Sequence, residues 1–180
     1  GIYSAETGTQ TREIRSTGGL GAIGLSDSGV DALLRQGDRA VLWTESEGLI
    51  PVAQGAGLGG AFSADGARMA VIDDAGTLVL ADVRSAASTR VEAPAGAAGL
   101  VWVSETVVTV HRSGEIRRWD ARGDLISTSQ CDCQPTGAWV AGQGMVRLHD
   151  SLKQISHYLD FGRGEAAVTI LPAAVSEVQQ

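Results

Sequence analysis

The sequence predicts an all-β fold built by repeating one unit of short antiparallel strands. Two motifs recur at the same interval, and short apolar runs are broken throughout by Gly, Asp and Ser. No helix competes: only Glu165 to Val178 has helical composition, and Pro172 interrupts it.

The first motif ends a strand. Ala40-Val41-Leu42-Trp43-Thr44, Leu78-Val79-Leu80-Ala81-Asp82 and Ile116-Arg117-Arg118-Trp119-Asp120, aligned on Trp43, Ala81 and Trp119, are spaced 38 and 38 residues apart. Extending the series places Tyr3 40 residues before Trp43 and Tyr158 39 after Trp119. The second motif comprises Gly24-Leu25-Ser26, Ala61-Phe62-Ser63, Val101-Trp102-Val103 and Ala138-Trp139-Val140, with central residues 37, 40 and 37 apart. Two separate motifs that both keep a spacing of 37 to 40 residues along the chain mark a true repeat.

The unit beginning at Gly57 shows the internal pattern. Gly60-Ala61-Phe62-Ser63 reads as a strand, Ala64-Asp65-Gly66 as a turn, and Arg68-Met69-Ala70-Val71-Ile72 as the second strand. Asp73-Asp74-Ala75-Gly76 turns again into a third strand, Thr77 to Asp82. The alternation in Ser88-Thr89-Arg90-Val91-Glu92 suits a fourth, outer strand with one face in solvent. Four antiparallel strands in about 38 residues make a β-propeller blade.

On this register residues 1–16 supply a partial blade, with Ile2-Tyr3-Ser4 as a third strand and Gln10 to Arg15 as a fourth. Full blades follow at 19–54, 57–92 and 97–130, then an irregular last blade at 135–171 and a tail at 173–180. Within the last blade, Met145 to Asp150 is expected to be the second strand, which keeps Tyr158 in register. The total is about four and a half blades, whereas closed propellers have roughly four to eight. An open arc leaves sheet faces uncovered, so the ring is expected to be completed by further sequence or by another chain, with this segment its C-terminal part.

These residues resemble the WD-repeat family over residues 1–160. Phe62-Ser63-Ala64-Asp65-Gly66 followed by Met69-Ala70-Val71 is similar to its first-strand and second-strand signature, and Ser113 to Asp120 to its third strand, including the Trp119-Asp120 pair. The Gly-His pair that opens many of the family's repeats is absent, so its buried Asp, His, Ser/Thr and Trp network is not expected to assemble in the usual way. Degenerate repeats also resemble quinoprotein-like or lipoprotein-type blades. The WD-repeat resemblance implies a non-enzymatic protein-binding scaffold or sensor whose partners dock on loops or rim, and a structural hydrogen-bonding role for Asp120. The quinoprotein-like alternative implies an enzyme with its site in a central channel.

Composition narrows the partners. Net charge is −7 and the pI is near 4.9, which argues against a general grip on nucleic acid or anionic lipid. No apolar run approaches a membrane span, and the first residues lack a signal-peptide layout, although Gly1 reads as cut from something longer. Lys153 is the sole lysine against 13 arginines, a bias of GC-rich genomes that points to a bacterial source. The cysteines, Cys131 and Cys133, are separated by one residue and close no long loop, so they are expected to be buried free thiols in a cytoplasmic, reducing setting.

No catalytic, cofactor-binding or metal-ligating residue is expected. Cys131 and Cys133 with His149 and His157 are the one conceivable zinc set, and Cys-x-Cys is a poor ligand spacing. Asp73 with Asp74, and Glu45 with Glu47, fall where turns belong. Serines lack the Gly-x-Ser-x-Gly context, and His111, His149 and His157 have no readable triad partners. Gly18 to Gly21 and Gly55 to Gly60 lead into strands without a following Lys-Ser/Thr, which makes them inter-blade connectors instead of phosphate cradles. Arg112, Arg117, Arg118 and Arg122 sit among acids and read as a solvated blade face, and the tryptophans as packing between sheets.

Overall fold

A computed structural model describes residues 2–3, 6–16, 18–85, 87–142 and 144–161, and the backbone of 167–172. The expected tail at 173–180 lies outside them.

Turn residues set where each strand stops, and the chain runs as successive meanders. A two-stranded sheet pairs β1 (Ile2–Tyr3) with β2 (Gln10–Arg12). The first four-stranded sheet is β3 (Leu20–Leu25), β4 (Ala32–Gln36), β5 (Arg39–Thr44) and β6 (Gly48–Gln54). The second is β7 (Gly59–Phe62), β8 (Arg68–Ile72), β9 (Thr77–Asp82) and β10 (Ser88–Glu92). The third is β11 (Ala97–Val103), β12 (Thr106–His111), β13 (Glu115–Trp119) and β14 (Leu125–Gln130). The fourth is β15 (Pro135–Gly142), β16 (Met145–Asp150), β17 (Ile155–Asp160) and β18 (Ala167–Pro172). Every pairing is antiparallel and between sequence neighbours. Met145 to Asp150 is the second strand of its sheet, as expected. Among the described residues no helix is long and apolar enough to cross a membrane.

Strand alternation sends each sheet's side chains into two different cores. On β8, Met69 and Val71 pack back against Leu33 and Leu42 of the first sheet. Their neighbours Ala70 and Ile72 pack forward against Trp102 and Val107 of the third. On β12, Val108 and Val110 continue the pattern, meeting Val146 and Leu148 of the fourth. The partial blade contributes Ile2 and Ile14 to a smaller core with Ala32, Leu34 and Val41. First strands lie side by side in the order β3, β7, β11, β15, and at Gly99 of β11 the approach is so close that a Cβ would meet the Ala138 amide nitrogen of β15 at 2.8 Å. Outer strands β10 and β14 are mostly exposed.

The fourth sheet departs from the expected register. Val146 pairs with Leu159 and both enter the core shared with the third sheet, whereas Arg147 pairs with Tyr158 and both point the other way. Leu159 is therefore the true counterpart of Trp119, and Tyr158 is displaced by one position. The same slip affects the second motif: Trp102 pairs with Val107, but Trp139 pairs with Arg147, so Val140 is the counterpart of Trp102. Because side chains alternate with period two, a slip of one residue reverses the face. Trp139 is accordingly 52% exposed instead of packed between sheets as its spacing implied.

A buried Trp, Thr and His chain forms in the third sheet, with a histidine that no Gly-His pair supplies. Trp119 Nε1 donates to Thr109 Oγ1 at 3.0 Å, and Thr109 Oγ1 lies 3.1 Å from His111 Nε2. The histidine comes from two residues further along β12, on the same face as Thr109, in place of a Gly-His pair. Trp119 can only donate, so Thr109 accepts from it and has its own proton available for His111. All three residues are buried.

Two predictions follow from this network. Thr109→Val leaves the indole N–H and imidazole unpaired in the core and is expected to lower stability by about 1–3 kcal/mol in denaturant titrations. Burial lowers the pKa of His111 below its ordinary 6.5; Glu115 and the Pro94 carbonyl oppose this and Arg117 adds to it. The unfolded chain then binds a proton that the folded chain resists, so this stabilisation is full above about pH 6.5 and is lost on descending through the folded pKa. Thermal unfolding scanned from about pH 8 to 5 should show a drop in melting temperature that shrinks in His111→Gln.

Candidate functional site

The polar groups singled out in the sequence are held in separate structural roles. Cys131 and Cys133 are joined as a disulfide, which corrects the reading of free thiols and removes the premise for a reducing setting. Both are buried in the core between the third and fourth sheets. His149 pairs with Ser156 and His157 with Leu148, so the two histidines occupy opposite faces of one sheet. Among the described residues no three His, Cys, Asp or Glu side chains converge on a common metal position.

The paired carboxylates build turns and ties. Asp73 Oδ1 accepts from the Thr77 amide at 2.7 Å, while Asp74 Oδ1 receives Arg112 Nη1 at 2.9 Å from the third sheet. Glu45 pairs with Arg12 at 3.2 Å, linking the partial blade to the first sheet, and the Glu47 amide donates to Thr44 Oγ1. Asp120 Oδ1 accepts from the amides of Arg122 and Asp124 and so closes the turn after the third strand. The Asp124 and Arg122 amides hold that carboxyl below its ordinary pKa. Asp82 does the same one blade earlier, accepting from the amides of Ser85 and Arg84.

The arginines do not merge into one anion site. Arg117 pairs with Glu115 at 2.7 Å and lies over the Trp119 ring; Arg118 donates to Thr106 Oγ1 and lies over Phe161. With Arg112 on Asp74, three of the four cations have separate partners.

Open surface is concentrated at strand ends. A cavity of about 530 Å³ takes its lining from all four full sheets, including Phe62, Trp102 and Val140 near the ends of first strands and Asp27 and Ser104 in the turns that follow them. Beside it, a polar cavity of about 520 Å³ is lined by Ser28, Asp31, Thr44, Glu47, Asp65 and Arg84. Burial raises the pKa of Asp31 there, with Arg12 and Arg84 pulling it down less strongly. At the opposite strand ends Leu58, Ile72, Ala98, Arg112 and Thr136 line about 410 Å³. Sequence reasoning located these turns and left the cavities between them undetected, since a cavity depends on how adjacent sheets are angled.

Two further surfaces lie at the two ends of the arc. Ile2 packs onto the first sheet, which turns Tyr3 outward at 60% exposure, and an apolar groove of about 470 Å³ runs between them past Ile14, Leu20 and Leu34. At the other end Trp139 lies across Gly137, whose missing side chain makes room for the indole, beside Arg147 and Tyr158. Trp, Tyr and Arg are the residue types that dominate binding energy at protein interfaces.

No protein-family model matches the sequence, and no curated protein matches it either. Solved structures do. The β-propeller domain of Myceliophteria thermophila Cps50 (Swd1) superposes with a TM-score of 0.70 at 14% identity, covering 94% of this chain and 63% of that one. The WD40 repeats of RRP9 superpose with a TM-score of 0.66 at 12% identity, covering 87% of this chain and 53% of that one. The chain thus spans less than two thirds of either propeller. Four-stranded antiparallel sheets, stacked through their first strands and superposing on two WD40 propellers, give this chain the fold of an arc of WD-repeat β-propeller blades.

Proposed function

We propose that this arc is a non-enzymatic interaction module, a scaffold or sensor platform that binds other proteins through its turn-end cavities and its outer rim. The observation that carries the reading is the division of labour among its side chains. Asp73 and Asp120 are engaged in turns, Asp74 and Arg112 tie two blades and Arg117 pairs with Glu115 on its own strand, while aromatic and apolar groups stand exposed at Trp139, Val140, Leu25 and Tyr3. Exposed aromatic groups on rigid sheets suit protein recognition, because little conformational entropy is lost when they are covered.

The module belongs to a larger ring, in this proposal, with further blades from the same protein or another chain covering the two end faces. Coverage of 63% and 53% of two propellers by an arc with uncovered ends supports it. Light scattering after size exclusion is expected to find the 180-residue chain associated; a compact, stable monomer would contradict this part.

Binding is tested with Trp139→Ala, which removes an exposed ring and should change stability by no more than about 0.5 kcal/mol. Proteins cross-linked to the immobilised chain from its source lysate should be lost from this variant at equal folded concentration. A stoichiometric bound cofactor, or turnover of a small molecule by the isolated chain, would overturn the non-enzymatic reading.

A further inference from the structure

The four residues Cys131 to Gln134 form the connector from β14 to β15, and they touch both sheets they join. On the third-sheet side the Cys131 amide donates to the Gly114 carbonyl at 2.9 Å, and Gln130 Nε2 donates to the Ser113 carbonyl at 2.8 Å. Gly114 has φ of +84°, and a Cβ there would meet the Cys133 carbonyl at 2.8 Å, so the connector is seated directly on that turn. On the fourth-sheet side Asp150 Oδ2 accepts from the Gln134 amide at 3.2 Å, and Lys153 Nζ donates to the Asp132 carbonyl at 2.6 Å. The two sulfurs point inward, 4% and 6% exposed as residues, among Val110 and Ile116 of one sheet and Leu148 and Leu159 of the other.

A staple for stability would close a long loop. This disulfide closes a ring with one intervening residue, so it removes little entropy from the unfolded chain and its contribution by that route is small. Its position is what distinguishes it: the bond lies inside the interface between two blades, on the one covalent link between them. We propose that Cys131–Cys133 is a thiol-reversible clasp that sets how firmly the fourth sheet is held against the third.

The chemistry balances with a dithiol as reductant. A thiolate of the dithiol attacks one sulfur, the S–S bond breaks, and a mixed disulfide forms. The second thiol of the reagent then displaces that sulfur, so two electrons and two protons end on Cys131 and Cys133 as thiols while the reductant leaves as a cyclic disulfide. Access is from the connector tip, where Asp132 is exposed. Once reduced, the sulfurs need van der Waals separation where they had a covalent one. Val110, Leu148 and Leu159 around them are fully buried, and a close-packed core passes such a displacement on instead of absorbing it. The connector moves, its ties to Gly114, Asp150 and Lys153 loosen, and the fourth sheet with its Trp139 face gains freedom relative to the others.

Hydrogen exchange on the full chain tests this, with dithiothreitol as the dithiol. Alkylation followed by mass measurement should add no label before reduction and two after it. Exchange in residues 131–160 should then rise by roughly tenfold or more while β3 to β10 keep their protection, and reoxidation should restore it. The double variant Cys131→Ser, Cys133→Ser should match the reduced chain and ignore the reductant. Two labels before reduction, equal exchange in both states, or a rise spread evenly over all sheets would each overturn the clasp.

Discussion

A four-stranded sheet with apolar residues on both faces cannot bury itself, and this constraint organises the molecule. On β8, Met69 and Val71 require a neighbour on one side and Ala70 and Ile72 require one on the other. Each sheet is thus stable only as a member of a stack, which makes the energetics local: a residue affects one inter-blade core and reaches the next only through its own sheet. The first strands run against one another backbone to backbone, and glycine at position 99 permits the approach of β11 to β15. At the end of the stack, Trp139 on the far face of the fourth sheet is half exposed among the described residues.

Polar groups inside such a stack must be paired, and the third sheet shows how a degenerate repeat manages it. The Trp119 indole needs an acceptor that the missing Gly-His arrangement does not change, and Thr109 supplies it; His111 then satisfies Thr109 from the same strand. The Asp120 and Asp82 carboxylates repeat a common device one blade apart, gathering backbone amides at the turn after the third strand. Repetition of the turn chemistry, more than of the tryptophan, keeps the blades alike.

Much of this was legible in the residues. Period, strand order and the turn position of Asp73 and Asp74 followed from spacing and from the preferences of Gly and Asp for turns, and the hydrogen-bonding role of Asp120 from the resemblance. In the fourth sheet the aromatic landmarks mislead, because Trp139 and Tyr158 occupy the face opposite to that of Trp102 and Trp119. A better marker was present: Leu159-Asp160 repeats the apolar-then-Asp ending of Ala81-Asp82 and Trp119-Asp120. His111 was visible only as a histidine lacking triad partners, since its bond to Thr109 depends on two side chains of one strand face meeting the indole of the next. The disulfide was hidden for another reason: one-residue spacing argues against a long-loop staple and is silent about a short bridge.

The two ends of the arc are unlike. One presents Tyr3 and the groove past Ile14 and Leu20; the other presents Trp139, Arg147 and Tyr158. If copies of this chain were to complete the proposed ring, a contact from the tail of one to the head of the next would be heterologous, each added copy repeating one rotation instead of pairing off about a twofold axis. The angle between blades would then set that rotation, and whether its multiples return to the starting point would separate a bounded circle of subunits from a fibre that grows at both tips.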